Sequence, residues 1–370
     1  MAEINLTNGM TSTGITVGKG ETLNVSSGGV ANSTTVNSAG QMRVLDGATA
    51  NIIAVSSGGA LYGWGTVKDA TVYHSGTFMA YNGTVSGTVI DSGGRMEVHF
   101  SANVSDTEIL NGGLLKQCEG VTDKTVVSSG GRMEFGLTTL NKVPICRASA
   151  TDVTVEQGGT MLFLVTESSY AAGTIDGSAF EFDFKSNDLK DYSFSARYEL
   201  GVVNGLAENV DVRNGGQLHL FTFSGSTTAA ASNTTVFSGG ALQVYSNGAS
   251  AKDTTISSGG KVYVSNGGSL SNTTVLSGGV LSGANSANNS ATTISKVTIK
   301  TGGTMVHSWN GILDDVSVAS GGKLEFISSG ASATNLKLEQ GALFACLLDC
   351  ISRAAGSCPR QSHPRSSVPP

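Results

Sequence analysis

The stretch TTVFSGGALQV at residues 234–244 decides the fold, because its pattern returns along most of the chain. TTISSGGKVYV (254–264), VSVASGGKLEF (316–326) and TVIDSGGRMEV (88–98) keep the same apolar positions around a Gly-Gly pair. A branched aliphatic residue stands three positions before the first glycine, and an apolar residue stands two positions after the second. Columns of like residues at a fixed spacing are the signature of a repeat architecture.

Each unit reads as two strands separated by two corners. The apolar positions lie two residues apart, which is the period of a strand with one buried face. The Gly-Gly pair supplies one corner, because glycine adopts positive φ without steric cost. A second corner follows in the clearest units, as in Asn247-Gly248-Ala249 and Asp46-Gly47-Ala48.

A unit of this size cannot bury its apolar face alone and must stack on its neighbours. We therefore predict an all-β fold, a single right-handed parallel β-helix of roughly 19–20-residue turns, since right-handed crossovers dominate parallel sheets. The alternative is a broad two-sheet sandwich, which would need hairpins and antiparallel pairing. Like residues recurring at every turn argue against it.

Two wider gaps between glycine pairs are read as whole numbers of units. The first runs from Gly58 to Gly93 and is taken as two units, and the second runs from Gly158 to Gly215 and is taken as three. The count is then roughly 17 turns and the rod is on the order of 80 Å long at the usual strand spacing.

The domain prediction is one continuous repeat domain over 1–344 and a non-repeat tail over 345–370, either disordered or out of frame. Within the repeat domain, residues 166–208 lack the glycine motif, and Phe180, Phe182 and Phe184 alternate with charged residues. Two interpretations stay open for this segment: glycine-poor, aromatic-rich turns, or a hairpin that projects from the stack.

Bulk composition excludes several classes of protein. Charged residues make up 14% and the formal net charge is −6, which disfavours a nucleic-acid groove. No apolar run approaches the roughly 18 residues of a membrane-spanning helix, and the first residues, MAEINLTNGMTST, lack the apolar core of a signal peptide. The five cysteines do not recur with the unit, so no disulfide framework is expected.

Enzymes that degrade polysaccharides also use parallel β-helices, and their active sites need clustered carboxylates on an outward strand face. The outward column carries Glu97 and Glu134, separated by one turn that carries Lys116. Two strand spacings put these carboxylates about 10 Å apart, which is wide even for an inverting pair. We expect a solvated surface column there.

The five histidines are His74, His99, His219, His307 and His363. They share no turn and no metal-ligand spacing, and His307 falls on an inward column. We therefore predict no catalytic residue, no cofactor-binding residue and no metal site.

The repeat unit resembles that of a known family. NTTVFSGGALQVYSNGASAKDTTI (233–256) and NTTVLSGGVL (272–281) are similar to the passenger repeats of AIDA-type autotransporter adhesins of Gram-negative bacteria. The resemblance covers most of residues 15–344. It implies a non-catalytic β-helical stalk at the cell surface that mediates adhesion, auto-aggregation or biofilm formation.

The resemblance also implies partners. These are host or bacterial cell-surface glycans or proteins, sister copies of the chain, and a dedicated glycosyltransferase, with no nucleic acid and no small-molecule substrate. Some relatives carry O-linked heptose, and the corner serines here resemble those acceptors: Ser26, Ser27, Ser56, Ser57, Ser128, Ser129, Ser257 and Ser258.

Two features of the family, the N-terminal export signal and the C-terminal membrane barrel, are not recognised in this sequence, so the resemblance does not explain how this chain is exported or anchored. The alternatives to the adhesin interpretation are a carbohydrate-active β-helix enzyme, and a structural protein of a phage or surface layer.

Overall fold

The computed structural model describes residues 2–135, 147–165, 169–175, 178–184, 189–190, 193–195, 198–202, 205–222, 228–283, 291–308, 311–327 and 332–346. All regular elements in these ranges are β-strands, and they form three sheets. Sheet A runs the whole length of the molecule. Sheets B and C together form the opposite side of the coil.

Sheet A receives one strand, mostly of four residues, from each turn. Its 17 strands are β1 (Ala2–Leu6), β4 (Glu21–Val25), β6 (Gln41–Val44), β8 (Ala60–Gly63), β10 (Thr77–Ala80), β12 (Arg95–Val98), β14 (Leu114–Gln117), β16 (Arg132–Phe135), β18 (Thr160–Val165), β23 (Tyr198–Val202), β26 (Gln217–Leu220), β28 (Ala241–Tyr245), β30 (Lys261–Ser265), β32 (Val280–Gly283), β34 (Thr304–His307), β36 (Lys323–Phe326) and β39 (Leu343–Cys346).

Sheets B and C receive the longer strands of each turn. Sheet B contains β2 (Thr11–Thr13), β3 (Thr16–Val17), β5 (Val30–Val36), β7 (Thr49–Val55), β9 (Thr66–Val72), β11 (Thr84–Ile90), β13 (Asn103–Ile109), β15 (Glu119–Val127), β17 (Arg147–Val155), β19 (Ser169–Ile175) and β20 (Ser178–Phe184). Sheet C contains β21 (Leu189–Lys190), β22 (Ser193–Ser195), β24 (Leu206–Glu208), β25 (Asp211–Arg213), β27 (Ala229–Val236), β29 (Ala249–Ile256), β31 (Ser269–Val275), β33 (Thr293–Ile299), β35 (Ile312–Val318), β37 (Ser332–Thr334) and β38 (Lys337–Leu338).

The strands pair in parallel with like residue over like residue. Leu218, Leu242, Val262 and Leu281 face one another across β26, β28, β30 and β32. Their side chains, like that of Met96, are fully buried, and the core they form runs from one end of the coil to the other. The predicted parallel β-helix is confirmed, and the sandwich is excluded.

The two glycines of each pair meet different demands, as Gly259 and Gly260 illustrate. Gly259 has φ +74°, the left-handed region. Gly260 does not need positive φ; a Cβ atom there would overlap the backbone carbonyl of Val236 in the preceding turn. The first position accepts Ala39 and Ser75 elsewhere, both with φ of 57°. Close approach of successive turns, rather than turn conformation, therefore requires the second glycine.

A third corner lies inside the longer strands and was not predicted from the sequence. One residue per turn has φ between 50° and 60° in most cases, which divides the strand into two straight segments. Asparagine and aspartate predominate, because their short polar side chains tolerate this conformation. The column comprises Ser33, Ile52, Asp69, Gly87, Asp106, Lys124, Asp152, Asn209, Asn233, Asp253, Asn272, Lys296, Asp315 and Asn335.

The gap from Gly158 to Gly215 holds two turns of sheet A, so its prediction as three units is wrong. β18 pairs directly with β23, and β23 pairs directly with β26. The gap is longer than two regular turns because it also contains a hairpin, in which β20 pairs antiparallel to β19. Sheet B ends at this hairpin, and sheet C begins with the next described strands.

The domain prediction remains open in part. Tyr198–Val202 joins sheet A as a turn, whereas Ser178–Phe184 is the second strand of the hairpin. How far the hairpin projects depends on residues outside the described ranges. The repeat continues to Cys346 in β39, and the rest of the predicted tail, 347–370, lies outside the described residues.

Threonine follows the third corner on the buried side of many turns. Seven of these hydroxyls find no hydrogen-bond partner among the described residues: Thr34, Thr88, Thr107, Thr125, Thr234, Thr254 and Thr273. Val153 and Val297 occupy the same column, paired in register with Thr125 and Thr273. The column therefore accommodates valine, and its threonines leave buried hydroxyls unsatisfied.

His307 is a titratable group inside the core, as predicted. It lies opposite Gly283 in β32 and is fully buried. A Cβ atom at Gly283 would overlap the imidazole, so the missing side chain makes room for the ring. Phe326 meets the ring edge-on from the next turn, with centroids 5.8 Å apart. Burial lowers the pKa of His307 because the charged form would lose its water.

Replacing the second glycine should cost more than replacing the first. We expect Gly260→Ala to destabilise the chain by about 3 kcal/mol, since the new methyl group meets fixed backbone. Gly259→Ala should cost about 1–2 kcal/mol, mainly from the left-handed backbone. The midpoints of urea unfolding, followed by circular dichroism, check this order. Equal midpoints for the two variants would contradict the argument.

Thr107→Val should stabilise the chain by about 1 kcal/mol, because it removes a buried hydroxyl that lacks a partner. Thr122→Val is the matched control in the neighbouring strand. Its hydroxyl donates to Gln117 Oε1 at 2.9 Å, so losing it should destabilise the chain. Urea midpoints of the two variants should therefore move in opposite directions, and a shared direction would refute the assignment.

Acid should destabilise the turns around His307. The unfolded histidine titrates near its ordinary value of about 6.5 and the folded one below it, so stability is complete above about pH 6.5 and falls as the pH drops toward the folded value. His307→Phe places a residue type found in the same column, as at Phe326. The loss of thermal stability between pH 7 and pH 5 should be smaller in this variant, and an identical loss would contradict the prediction.

Candidate binding surface

The outward side of sheet A presents the side chains that can meet a partner. In most turns the third residue after the glycine pair points outward, as predicted, and Arg43 and Tyr263 are exposed. Leu162 is the exception. Phe221 and Tyr245 cover it from outside and form a small apolar cluster separate from the core. The rings of Phe221 and Tyr245 stack with centroids 5.4 Å apart.

An aromatic ladder climbs three successive turns in the N-terminal half. Trp64 and Tyr81 follow β8 and β10 and stack with centroids 4.8 Å apart and planes inclined by 18°. His99 continues the stack on Tyr81 at 5.4 Å, and Tyr62 flanks Trp64 at 6.2 Å. The distances match the spacing of neighbouring strands, so each ring covers the face of the next and stabilises the turns.

Phe100 lies at the end of this ladder, directly after His99, in a corner whose backbone conformation is unfavourable for a bulky residue. Its φ is 54°, unusual for a bulky residue, and its side chain is 51% exposed. The Glu119 carboxylate accepts the Phe100 backbone N–H at 3.0 Å from the following turn. The ring tilts against Tyr81, with centroids 5.8 Å apart. The ladder thus ends in one ring that faces solvent.

Glu97, one of the two carboxylates considered from the sequence, is held by its neighbours in β12. His99 Nε2 lies 2.9 Å from one carboxylate oxygen, and Arg95 pairs with the other. The hydrogen bond with His99, aided by Arg95, outweighs burial and lowers the pKa of Glu97 to about 2. Glu97 is therefore ionised at neutral pH.

Glu134, the other carboxylate, is held in the same way. Lys116 pairs in register with both Glu97 and Glu134, and its Nζ lies 3.1 Å from a Glu134 oxygen. Burial alone would raise the pKa of Glu134, but the hydrogen bond from Arg132 and the charge of Lys116 outweigh it and lower that pKa. A general acid must carry a proton near the working pH, and neither carboxylate is tuned to do so.

The histidines lie far apart in the fold. His74 is exposed at a corner, His99 belongs to the aromatic ladder, and His219 meets Tyr245 edge-on. His363 lies outside the described residues. Within the described ranges, no group of three or more histidine, cysteine, aspartate or glutamate side chains could hold a metal ion.

Serines form a solvent-facing row beside the first glycine of the pair. Where a serine stands before the pair, it packs against the first glycine of the next turn, as Ser238 does on Gly259 and Ser258 on Gly278. These serines are exposed; the row contains Ser38, Ser57, Ser92, Ser129, Ser238, Ser258, Ser277 and Ser320. The sequence motif showed the serines, but their alignment into one row needs the register of the coil.

Comparison with known families identifies the repeat. Residues 226–279 match the AIDA family, described as "Adhesin of bacterial autotransporter system, probable stalk". This segment comprises β27 to β31. No curated protein matches the chain. No helix in the described part of the chain is long and apolar enough to cross a bilayer.

Three solved structures are similar over most of the chain. The TibC-catalysed hyper-glycosylated TibA fragment is 24% identical, with 94% of this chain and 93% of that chain covered and a TM-score of 0.29. The Agl-KA catalytic domain is 12% identical, with coverage of 89% and 63% and a TM-score of 0.27. The receptor-binding domain of the siphovirus 9NA tailspike is 8% identical, with coverage of 98% and 74% and a TM-score of 0.24.

Superpositions this loose carry no argument about function, and the family match alone decides the identity of the repeat. The unit in 226–279 is the one that recurs in register along sheet A. The resemblance predicted from the sequence is confirmed over residues 226–279, which match the adhesin stalk of bacterial autotransporter systems.

Proposed function

We propose that this chain is a non-catalytic adhesive stalk segment displayed on the surface of a Gram-negative bacterium. The observation that carries the proposal is the match of 226–279 to an adhesin stalk, in a coil whose outward columns recur turn after turn. Adhesion needs area and reach rather than a reactive pocket. A parallel β-helix supplies both, because each added turn extends the same surface.

The outward columns can engage surfaces in two ways. Aromatic residues near Phe100 give amphipathic contact area, the composition that interfaces favour. Polar columns provide hydrogen-bond donors and acceptors along the rod. Cell-surface glycans or proteins and sister copies of the chain are therefore the partners we assign to it.

The exposed serine row suits modification by a dedicated glycosyltransferase. Its hydroxyls, such as those of Ser238, Ser258 and Ser277, lie along one edge of the coil in successive turns. Attached sugars would cover that edge with hydrated groups and leave the core untouched. This supports O-glycosylation of Ser and Thr as part of the proposed function.

A carbohydrate-active enzyme is the second candidate, because such enzymes share the coil. Glu97 and Glu134 are the two carboxylates considered as a catalytic pair. Both are ion-paired and have lowered pKa values, which disfavours the enzyme candidate. A phage or surface-layer structural protein is the third candidate. Trimerisation in solution would favour that candidate.

Cells that display the chain should sediment faster and bind more to epithelial monolayers than cells that display an unrelated β-helix of similar length. The reason is that the outward columns, rather than rod shape, make the contacts. Settling rate and adherent cell counts are the measurements.

Purified protein should release no oligosaccharides from a polysaccharide panel. Reproducible release would overturn the non-catalytic assignment. Settling and adherence equal to those of the unrelated β-helix would overturn the adhesive one.

A further inference from the structure

A groove opens on the outward side of sheet A around Ala241, in the segment that matches the stalk family. Ala241 is the first residue of β28, and Gln217 and Lys261 pair with it in the turns on either side. Gln243 and Tyr263 line one flank, and the Gly239-Gly240 corner lines the other. The groove is open to solvent on its outer side and has a volume of about 640 Å³.

The groove exists because side chains are missing where other turns carry long ones. The position of Ala241 is filled by Arg95, Arg132 and Lys323 in other turns of sheet A. The two glycines beside Ala241 add no side chain either. A methyl group therefore forms the floor, while the long side chains of Gln217 and Lys261 rise at both ends.

The walls combine amides with a free aromatic ring. Gln243 Nε2 donates to Gln217 Oε1 at 2.8 Å, which fixes the two amides relative to each other. The Gln243 side-chain oxygen is not used in this bond and can accept a further hydrogen bond. Tyr263 is 41% exposed and stacks on no other ring within the described residues.

The charge of the groove has one sign. Lys261 is exposed and forms no ion pair with any described residue. No carboxylate lines the groove. The chain as a whole is acidic, with a formal net charge of −6. The ammonium group of Lys261 therefore gives the groove a charge opposite in sign to the net charge of the chain.

We propose that the groove binds a sugar chain that carries carboxylates. Paired amides and a phenol hydroxyl suit a ligand rich in hydroxyl groups, and an exposed ring suits the C–H face of a pyranose. The ammonium group of Lys261 pairs with a carboxylate of the ligand. The proposal rests on the adhesive function, because it names the ligand class for part of the adhesive surface.

The test is calorimetric titration of the full chain with tetragalacturonic acid and with its methyl ester, which lacks the charges. The acid should bind saturably, and the ester about threefold more weakly, the value of one exposed ion pair. Lys261→Met should bring the acid down to the affinity of the ester. The affinity of the ester should not change.

Ala241→Arg should abolish binding of both probes, because the new side chain fills the groove. Arginine already occupies this column in other turns, so the variant should fold, and circular dichroism checks this. Ala60→Arg is the matched control, since Ala60 holds the same position in β8 and lies outside the groove. It should bind like the unmodified chain.

Absence of saturable binding by the unmodified chain, or unchanged binding by Ala241→Arg, would overturn the proposal. Equal loss in Ala60→Arg would also overturn it, because the ligand would then lie elsewhere on sheet A. Cell adhesion is a separate measurement. If cells that display Ala241→Arg lose binding of the acid and still adhere, the groove is not part of the adhesive surface. That result would not contradict the stalk function.

Discussion

The approach of each turn to the one before it is the constraint on which the rest of the structure depends. At the second glycine of the pair, backbone meets backbone so closely that no side chain fits, as Gly260 against Val236 shows. This contact sets the register of sheet A. Once the register is set, the apolar columns coincide and a continuous core follows.

The same register decides what lies on the surface. Residues that are far apart in the sequence become neighbours in a row, and each row can then act as a unit. Trp64, Tyr81 and His99 stack because three successive turns present a ring at one position. Gln217 and Gln243 bond because two turns present amides in adjacent columns. Where one turn carries a short side chain between two long ones, as Ala241 does between Gln217 and Lys261, a groove opens.

The sequence alone predicts the parallel coil, its buried columns and its family resemblance. All three depend on the spacing of the repeated residues, which can be read directly from the sequence. The third corner was missed although a column of asparagine and aspartate marks it. A segment of seven residues reads as one straight strand from its periodicity, which does not reveal a single bend within it. The number of turns between Gly158 and Gly215 was wrong because β20 pairs antiparallel, and chain length cannot separate a turn from a hairpin. The ion pairs of Glu97 and Glu134 depend on rotamers and could not be read from spacing.

The hairpin at β19 and β20 has a mechanical consequence. On either side of it, two sides of the coil connect successive turns, but among the described strands only sheet A continues past this level, by the pairing of β18 with β23. A stalk loaded by shear flow would therefore yield first at this joint.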